Sequence, residues 1–433
     1  MQKNIGKLIM GFFWTIMLVF ANPATSFSQT YEELKKEIKS LVDQNKALTE
    51  RLKKVETELS ELKEGHEKGL EIEPQEEGSI SGFLTDAEKR INLSGLLEFG
   101  GAYRDTSYDN GEDVTESDLV MTTVELDFSA KLNKWVDVTG VLLYEDPTFE
   151  SEETSFELDS ASVVFGAEEG FPFTLTLGKV YVPFGALLTY FPDDPLIDSP
   201  LTLLLGESNE KTAILAYTDG GLTVSVYAYN GDVEEKGEGE NRLESYGFDV
   251  HFEYGLDMEG LNFYKRGEKF KHDPNKCIDF LIGGSYISNL ADSDFLSDAL
   301  GDEIDHYVGG MDFYVHAEHR GYFIAAEFMG AVNHFSANDL SSGNSGAKPY
   351  VWNIETGFSY NWWKNLEVAF KIAGSFDTEA LGLPERRYGI NLNQELFEGV
   401  TLSLGYIHDQ YHDIDIDKRD ERELLYGQMA VEF

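Results

Sequence analysis

From Arg90 to Phe433 apolar side chains recur at every second position. Val120, Thr122, Val124, Leu126, Phe128 and Ala130 form one face of a segment whose other face carries Thr123, Glu125, Asp127 and Ser129. Tyr246, Phe248, Val250, Phe252 and Tyr254 repeat the pattern against Ser245, Gly247, Asp249, His251 and Glu253. A period of two belongs to strands with unlike faces, and such strands suit either a soluble sandwich or a membrane barrel with a wet lumen. Number and connection length decide between them. The pattern predicts sixteen strands, near 91–105, 117–131, 135–145, 155–166, 171–182, 211–218, 222–230, 244–254, 278–288, 306–318, 321–332, 350–361, 364–376, 386–395, 400–408 and 423–433. Tight turns at 133–134, 168–170, 219–221, 319–321, 361–365 and 397–399 interleave with long acidic loops at 106–116, 231–241, 289–305, 333–349 and 409–422. Short turns on one rim and long loops on the other are the layout of an outer-membrane barrel, and a sandwich has no reason to alternate so.

The chain ends on an amphipathic strand in which Leu425, Gly427, Met429, Val431 and Phe433 alternate with Tyr426, Gln428, Ala430 and Glu432. A terminal Phe such as Phe433 resembles the assembly signal of Gram-negative outer-membrane proteins, which implies the barrel-assembly machinery as a partner. Tyr360 with Trp362 and Trp363, and Trp135 beside its turn, fit interfacial aromatic girdles. One connection breaks the alternation: residues 255–277 fall where a short turn is due, yet are long and basic, with Lys265, Arg266, Lys269, Lys271 and Lys276. The segment is either a periplasmic excursion or contains a further short hairpin.

Before the barrel the periodicity changes. Lys3 and Lys7 precede an apolar stretch from Leu8 to Ala21 that is too short to span a bilayer, followed by Ser26-Phe27-Ser28; residues 1–28 read as a secretory signal peptide. In residues 29–65, Tyr31, Ile38, Asn45, Leu52 and Leu59 occupy position a of a heptad, with Leu34, Leu41, Leu48, Val55 and Leu62 at d. This is a left-handed coiled coil and hence an oligomerisation device; Asn45 at a fixes register, favouring a dimer where porins favour a trimer. Residues 66–89, acidic and broken by Pro74, Gly78 and Gly82, form a linker. The fold class expected is therefore all-β: a 16-stranded antiparallel transmembrane β-barrel over 90–433, preceded by an N-terminal periplasmic coiled-coil helix.

Composition narrows the function. Lys plus Arg number 34 against 79 Asp plus Glu, a formal charge of −45, so phosphate-backbone binding and nucleic-acid partners are excluded as a main activity. The single cysteine, Cys277, makes no internal disulfide and no Cys-rich metal site. Aromatics are many, 29 Phe and 22 Tyr, while mean hydropathy is only −0.31, which suits a β-barrel better than a helical membrane bundle. The surplus acid suits solubility and divalent-cation bridging to lipopolysaccharide. His408, Asp409, His412, Asp413, Asp415 and Asp417 could chelate a metal, but the spacing matches no EF-hand and a solvated acidic loop is the simpler reading. G-x-S-x-G, P-loop and H-E-x-x-H motifs are absent, so neither a catalytic residue nor a cofactor is assigned and the chain is read as no enzyme.

The densest pattern is GKVYVPFGALLTYFPDDPLIDSPLTLLLGESNE, residues 178–210. Phe173, Leu175 and Leu177 point to lipid, so strict alternation would send Lys179 there too, at a few kcal/mol. Gly178 is where a bulge can reset the phase, turning Lys179 and Tyr181 to the lumen and Val180 and Val182 to lipid. Pro183 cannot donate to a ladder and ends the strand; Phe184 opens a loop, about 183–210, that folds inward and shelters Leu201 to Leu205. Pore-constriction and lumen candidates are Lys179, Tyr181, Pro183, Phe184, Asp193, Asp194, Asp198 and Glu207, and Lys179 joins Arg104, Lys371, Arg386 and Arg387 in a basic set.

G-K-V-Y-V-P-F-G at 178–185, followed by D-S-P-L-T-L-L-L-G-E at 198–207, resembles the LbtU family of siderophore porins, named for the legiobactin receptor. The order of signal peptide, coiled coil, linker and barrel matches as well. The resemblance implies a porin or channel in the outer membrane of a Gram-negative bacterium, its coiled coil in the periplasm. It also implies uptake of ferric siderophore without a plug domain. A general porin, selective for anions or other small solutes, is the alternative; a barrel-anchored envelope tether and an outer-membrane enzyme are alternatives of another class. If an anionic ferric complex passes so acidic a protein, the basic set should receive it, although rim ion pairs would explain each cation as well.

Overall fold

The computed structural model describes residues 90–146, 155–168, 170–192, 200–237, 243–258, 262–265, 276–343, 345–360, 365–412, 416 and 418–433. Of two compact units, Met1–Ser79 and Ile80–Phe433, all described residues belong to the second. The signal peptide, the coiled coil with Asn45, and the linker expected at the N-terminus lie outside the described residues.

Sixteen long strands run antiparallel in chain order: β1 (Ile91–Tyr108), β2 (Asp113–Asn133), β3 (Val136–Glu145), β4 (Ser155–Phe165), β5 (Phe173–Tyr181), β6 (Asn209–Asp219), β7 (Leu222–Asn230), β8 (Ser245–Asp257), β9 (Cys277–Ile287), β10 (Gly310–His319), β11 (Tyr322–Ala331), β12 (Tyr350–Tyr360), β13 (Leu366–Phe376), β14 (Arg386–Phe397), β15 (Val400–Gln410) and β16 (Arg419–Glu432). The sheet closes on itself because β1 pairs with β16, from Leu96 opposite Glu432 to Tyr108 opposite Arg419. Phe433 finishes the seam: its amide donates to Gly95 O at 3.0 Å and its carbonyl accepts from Gly95 N at 2.9 Å. Closure removes every edge, as backbone in a hydrocarbon layer requires.

The alternation read from the sequence is the wall's inside and outside. Leu126, Phe173, Leu175, Leu215, Phe248, Phe313, Ile354, Phe370 and Ile390 are exposed on the outer face. On the inner face of the same strands Asp249, Asp312, Glu355, Lys371 and Asn391 are buried. An exposed apolar belt outside and buried charge inside invert the soluble pattern, and only lipid outside makes that stable. Aromatics gather at the short-turn rim, where Trp135, Phe171, Phe173 and Tyr217 form a chain of ring contacts with centroids 5.1 to 6.1 Å apart.

Two expectations are corrected and one open alternative is resolved. The loops at 106–116 and 409–422 are largely strand: β1 and β2 stay paired out to Ser107 opposite Asp113, and β15 and β16 to Gln410 opposite Glu421. Polar residues such as Asp113, Thr115 and Glu116 disguised these extensions, which rise beyond the lipid belt. The basic 255–277 connection holds a short strand, Asn262–Lys265, returning beside β8 with Asn262 opposite Asp257; the missed hairpin is real. Val182 does not face lipid: it is 5 % exposed and packs inside with Phe184 and Leu201.

Two segments leave the rim and enter the barrel. After β5 the chain turns inward, and helix α1 (Leu201–Gly206) lies inside with Leu201 and Leu205 fully buried. A six-residue helix without a side-chain N-cap has little stability of its own. Packing holds it, at about 1.5–3 kcal/mol for each buried Leu. Gly206 allows the close approach, since a Cβ there would stand 2.3 Å from Met329 Sδ on β11. After β9, helix α2 (Asp294–Leu300) joins it, the Asp294 amide donating to Glu207 O at 2.9 Å. Val233, Leu290, Leu296, Ile304, Val308, Phe335, Leu340 and Leu383 from four long connections complete one apolar cluster with Phe184, Leu201 and Leu205. It packs inside the barrel, away from the inner face of β1 to β4.

Candidate functional site

The segment after β5 is fixed to the opposite wall by buried acceptors. Gly185 N donates to Ser285 Oγ on β9 at 2.8 Å, and the amides of Ala186 and Leu187 donate to Glu327 Oε1 on β11 at 2.7 and 3.0 Å. Further along, Thr189 Oγ1 and Tyr190 N donate to the two oxygens of Glu355 on β12, at 3.0 and 2.6 Å. The Tyr190 carbonyl then accepts from Asn391 and Asn393 on β14, and its hydroxyl meets His316 Nε2 on β10 at 2.6 Å. Backbone inside a barrel needs partners, and wall carboxylates supply acceptors for successive amides. The loop is thus built as part of the lining.

The strand that leads into the loop stays in the wall through Tyr181, and its close approach to β4 is at Gly178. An added Cβ there would lie 2.0 Å from Ala161 O on β4, so no other residue fits this approach. Beyond it Lys179 Nζ donates to Leu158 O at 3.3 Å and stands 3.9 Å from Glu157 Oε2, while Tyr181 donates to Asp159 Oδ1 at 2.7 Å. Asp159 is an extra residue in β4, at the register shift between Val141 and Leu142 of β3, which aims its carboxylate at Tyr181 and Asn209. Pro183 follows the last ladder pair, and Phe184 is fully buried in the apolar cluster. Asp193, Asp194 and Asp198 lie outside the described residues.

Between the inserted helices and the inner face of β1 to β5 lies a cavity of about 580 Å³. Glu98, Glu125, Glu145, Asp159, Glu207 and Asp294 line it, together with Thr123, Ser160, Tyr181, Leu96, Val141, Leu143, Leu203, Leu204 and Phe295. None of these lining residues is Lys, Arg or His. Burial, opposed by the bond from Asn209 N and raised further by Asp232, pushes the Asp294 carboxyl up to about 6. Next to it, burial also lifts Asp292 to about 6 in spite of the bonds from Ser245, Val233 and Asn289.

Of the basic candidates Lys179 stands near the cavity, its charge acting on Asp294, and the others sit elsewhere, each beside a carboxylate. Arg104 binds Glu116 at 2.7 Å; Lys371 binds Glu355 at 3.1 Å; Arg387 binds Asp409 at 2.8 Å, where Arg422 joins it; Arg386 is at the rim, 3.5 Å from Glu385. Arg387 and Arg386 are neighbours on β14 and so point to opposite sides of the wall. Sequence reasoning picked out Tyr181 and Glu207 in the cavity but not Glu98, Glu145, Asp159 or Asp294. Glu125 was already on the polar face of the β2 pattern. The last loop brings His412 Nε2 within 3.5 Å of Ser375 Oγ and His412 Nδ1 within 3.9 Å of Glu379, an array with the composition of a hydrolase triad. Ser375 is fully buried and donates to Pro384 O at 2.8 Å, so it presents no nucleophile to a substrate.

No protein-family profile matches the chain. The chain is 25% identical over 347 residues to the "UPF0422 protein" of Coxiella burnetii (strain RSA 493 / Nine Mile phase I), covering 78% of this chain and 68% of that one. It is 26% identical over 348 residues to "UPF0422 protein lpl2888" of Legionella pneumophila (strain Lens), covering 74% of this chain. The match spans only 59% of the Legionella protein's own length. Among solved structures, an anion-selective porin from Comamonas acidovorans superposes with a TM-score of 0.51 at 10% identity, over 79% of this chain and 99% of the porin. OmpF of Salmonella typhi, solved with daunomycin, gives 0.48 at 10% identity over 79% of this chain and 97% of its own. The fold is that of an outer-membrane porin. At such identity the likeness extends to architecture and no further, and the ionic character of the lumen has to be read from this chain's own side chains.

Proposed function

We propose that this porin-fold barrel is an outer-membrane diffusion channel whose conducting path follows the acidic inner face of β1 to β5 and prefers cations and neutral solutes to anions. The carrying observation is the cavity of about 580 Å³ with six carboxylates and, among the described residues, no basic lining residue. Like charges lining a narrow, partly low-dielectric passage focus the field and enrich counter-ions, the means by which acidic rings select cations. Preference for anions, one of the alternatives weighed above, finds no support in this lining.

Siderophore passage is a finer reading that rests on the resemblance at 178–185 and 198–207. The acidic cavity and the pairing of Arg104, Lys371, Arg386 and Arg387 with carboxylates favour neutral or cationic ferric complexes over anionic ones. The reading also includes export by the signal peptide, a periplasmic coiled coil that joins copies of the chain, and Phe433 as assembly signal. Reversal potentials of the full-length protein in planar bilayers under a KCl gradient test the channel. A potential indicating K⁺ preference is expected; no conductance, or Cl⁻ preference, refutes the proposal. Growth on ferric siderophores of either charge, with and without the protein, tests the finer reading.

A further inference from the structure

The sheet is closed throughout, yet the ladder between β4 and β5 is short. It runs from Phe165 opposite Leu175 only to Ala161 opposite Lys179, whereas β4 stays paired with β3 up to Ser155 opposite Glu145, and β5 with β6 up to Tyr181 opposite Asn209. Beyond Tyr181 the chain leaves the wall, with Val182 and Phe184 packed inside. Among the described residues, 155–160 therefore have a strand neighbour on one side only. Side chains bridge the gap: Lys179 Nζ donates to Leu158 O at 3.3 Å, Tyr181 to Asp159 Oδ1 at 2.7 Å, and Asn209 Nδ2, reaching across from β6, to Asp159 O at 2.9 Å. Leu158 shares a rung with Leu142 and Leu126 of the outer belt, and Leu158 and Phe156 are 46 % and 73 % exposed, so the gap lies at the depth of the lipid. Backbone at that depth lacks a strand partner only where protein covers it or a cavity borders it. Here a cavity borders it: Asp159, Ser160 and Tyr181, from both sides of the gap, line the space of about 580 Å³ together with Leu203, Leu204 and Phe295.

We propose that this gap is a lateral window through which the alkyl chain of an amphiphile passes between the outer leaflet and the cavity. Apolar surface continues through it, from Phe156 and Leu158 outside to Leu203, Leu204 and Phe295 within. An alkyl chain is driven out of water, so a route with apolar side chains at both ends suits it. Parting the side-chain bonds between them leaves the ladders of β4 with β3 and of β5 with β6 intact. The window lies in the half of the wall nearer the long loops, which is the outer-leaflet side of such a barrel. Around it Glu157, Asp159, Glu207 and Asp294 outnumber Lys179, so an uncharged or cationic head group is favoured over an anionic one. The window serves the same cavity as the channel proposed above but does not depend on that channel's ionic preference.

The test is photolabelling of the full-length protein in phosphatidylcholine vesicles containing a phosphatidylcholine with a diazirine at the end of one chain, a probe confined to the bilayer. Adducts are expected on Leu203, Leu204 or Phe295 as well as on outer-face residues such as Leu126 and Phe370; adducts on the outer face alone overturn the window. Asn209→Ala, which removes the bridge from β6 to Asp159, should raise the cavity adducts about threefold to tenfold relative to the outer-face ones, the worth of one hydrogen bond. An unchanged ratio overturns the assignment of entry to this gap. If that variant fails to fold, the unaltered chain still decides whether an alkyl chain enters. With a diazirine alkylamine and a diazirine fatty acid of equal length, the amine should label the cavity about fivefold more than the acid, the effect of one ion pair in a wet site. Equal labelling or the reverse order overturns the head-group preference. If K⁺ preference is absent but the cavity is labelled, the selectivity reading fails and the window stands; if K⁺ preference is present and only the outer face is labelled, the window alone fails.

Discussion

Glu355 offers a direct test of what holds the inserted loop. Its carboxylate is fully buried and accepts from Thr189 Oγ1, Tyr190 N and Asn353 Nδ2 at 3.0, 2.6 and 3.0 Å, while Lys371 Nζ lies 3.1 Å away. Lys371 is 1 % exposed and also sits 4.2 Å from the Phe191 ring centroid. Glu355→Ala removes two bonds to the loop, each worth about 1.5–3 kcal/mol for a charged acceptor. It also leaves a buried ammonium without its carboxylate, the situation in which breaking one side of a buried pair costs about 3–5 kcal/mol. Glu355→Ala/Lys371→Met removes the second cost but not the first. The double variant should therefore be more stable than Glu355→Ala by about 2 kcal/mol or more, although Lys371→Met on its own destabilises by stranding Glu355. Urea unfolding in detergent measures the cycle. Thermolysin cleavage within 184–205, together with single-channel noise, reports whether the loop has come away from β12; both should rise in Glu355→Ala. Additive single effects would mean that Glu355 and Lys371 do not form the unit described, and unchanged noise would refute the view that this carboxylate pins the loop.

Glu98→Gln/Glu125→Gln should lower the K⁺ over Cl⁻ permeability ratio by up to about thirtyfold, through loss of two interactions each worth about 1 kcal/mol in a wet passage; an unchanged reversal potential argues against these carboxylates lining the path. Asp294 is neutral below about pH 6 and charged above it, so K⁺ preference should increase as pH rises from 5 to 7.5, and Asp294→Asn should flatten that rise. Asp292 and Asp294 both have raised values in the folded loops, so their contribution to loop stability is complete below the ordinary carboxylate value of 3.8 and is lost as pH rises through about 6; hydrogen exchange of residues 231–237 and 289–300 should accelerate over that interval. Asp305 acts in the opposite sense. Its bonds from Lys236, Ser336 and Asn338 hold it below the usual range, so that tie persists at neutral pH and is lost on strong acidification. Deleting residues 193–205 should raise conductance, because α1 forms one side of the cavity; an unchanged channel sinks that assignment.

The barrel was legible because its determinant is local. Each strand's two faces meet different solvents, so the period-two signal survives in every segment and sixteen strands could be counted before any contact was known. Strand ends were harder to read. Outside the lipid belt β1, β2, β15 and β16 remain paired with polar residues on both faces, as at Asp113 and Glu421, and period two then carries no contrast. The bulge expected at Gly178 is not in β5, which keeps unbroken register with both neighbours there; the extra residue lies across the ladder, at Asp159 on β4. Val182 was misplaced because a wall residue and a residue already entering the loop have the same composition. The cavity could be read only in part: Glu125 sits within a long regular run, whereas Asp159 needs a bulge and Asp294 a tertiary contact between α1 and α2, and neither leaves a trace in spacing.

The same distinction bears on charge. A formal −45 suggests a uniformly repulsive molecule, yet the structure uses its carboxylates in two ways. On the covered wall Glu327 and Glu355 are consumed by loop amides and by Lys371, and Asp409 by Arg387 and Arg422, so these acids hold structure and add little net field to the lumen. On the other wall Glu98, Glu125 and Glu145 line a cavity with no Lys, Arg or His among its described lining residues, and there the acidic excess acts on whatever passes. Neutralising a carboxylate of the first kind should therefore change stability and leave selectivity nearly alone, while neutralising one of the second kind should do the reverse. Paired unfolding and reversal-potential measurements on Glu327→Gln and Glu125→Gln separate the two. If both variants shift both properties alike, the division of the lumen into a structural and a conducting half is wrong.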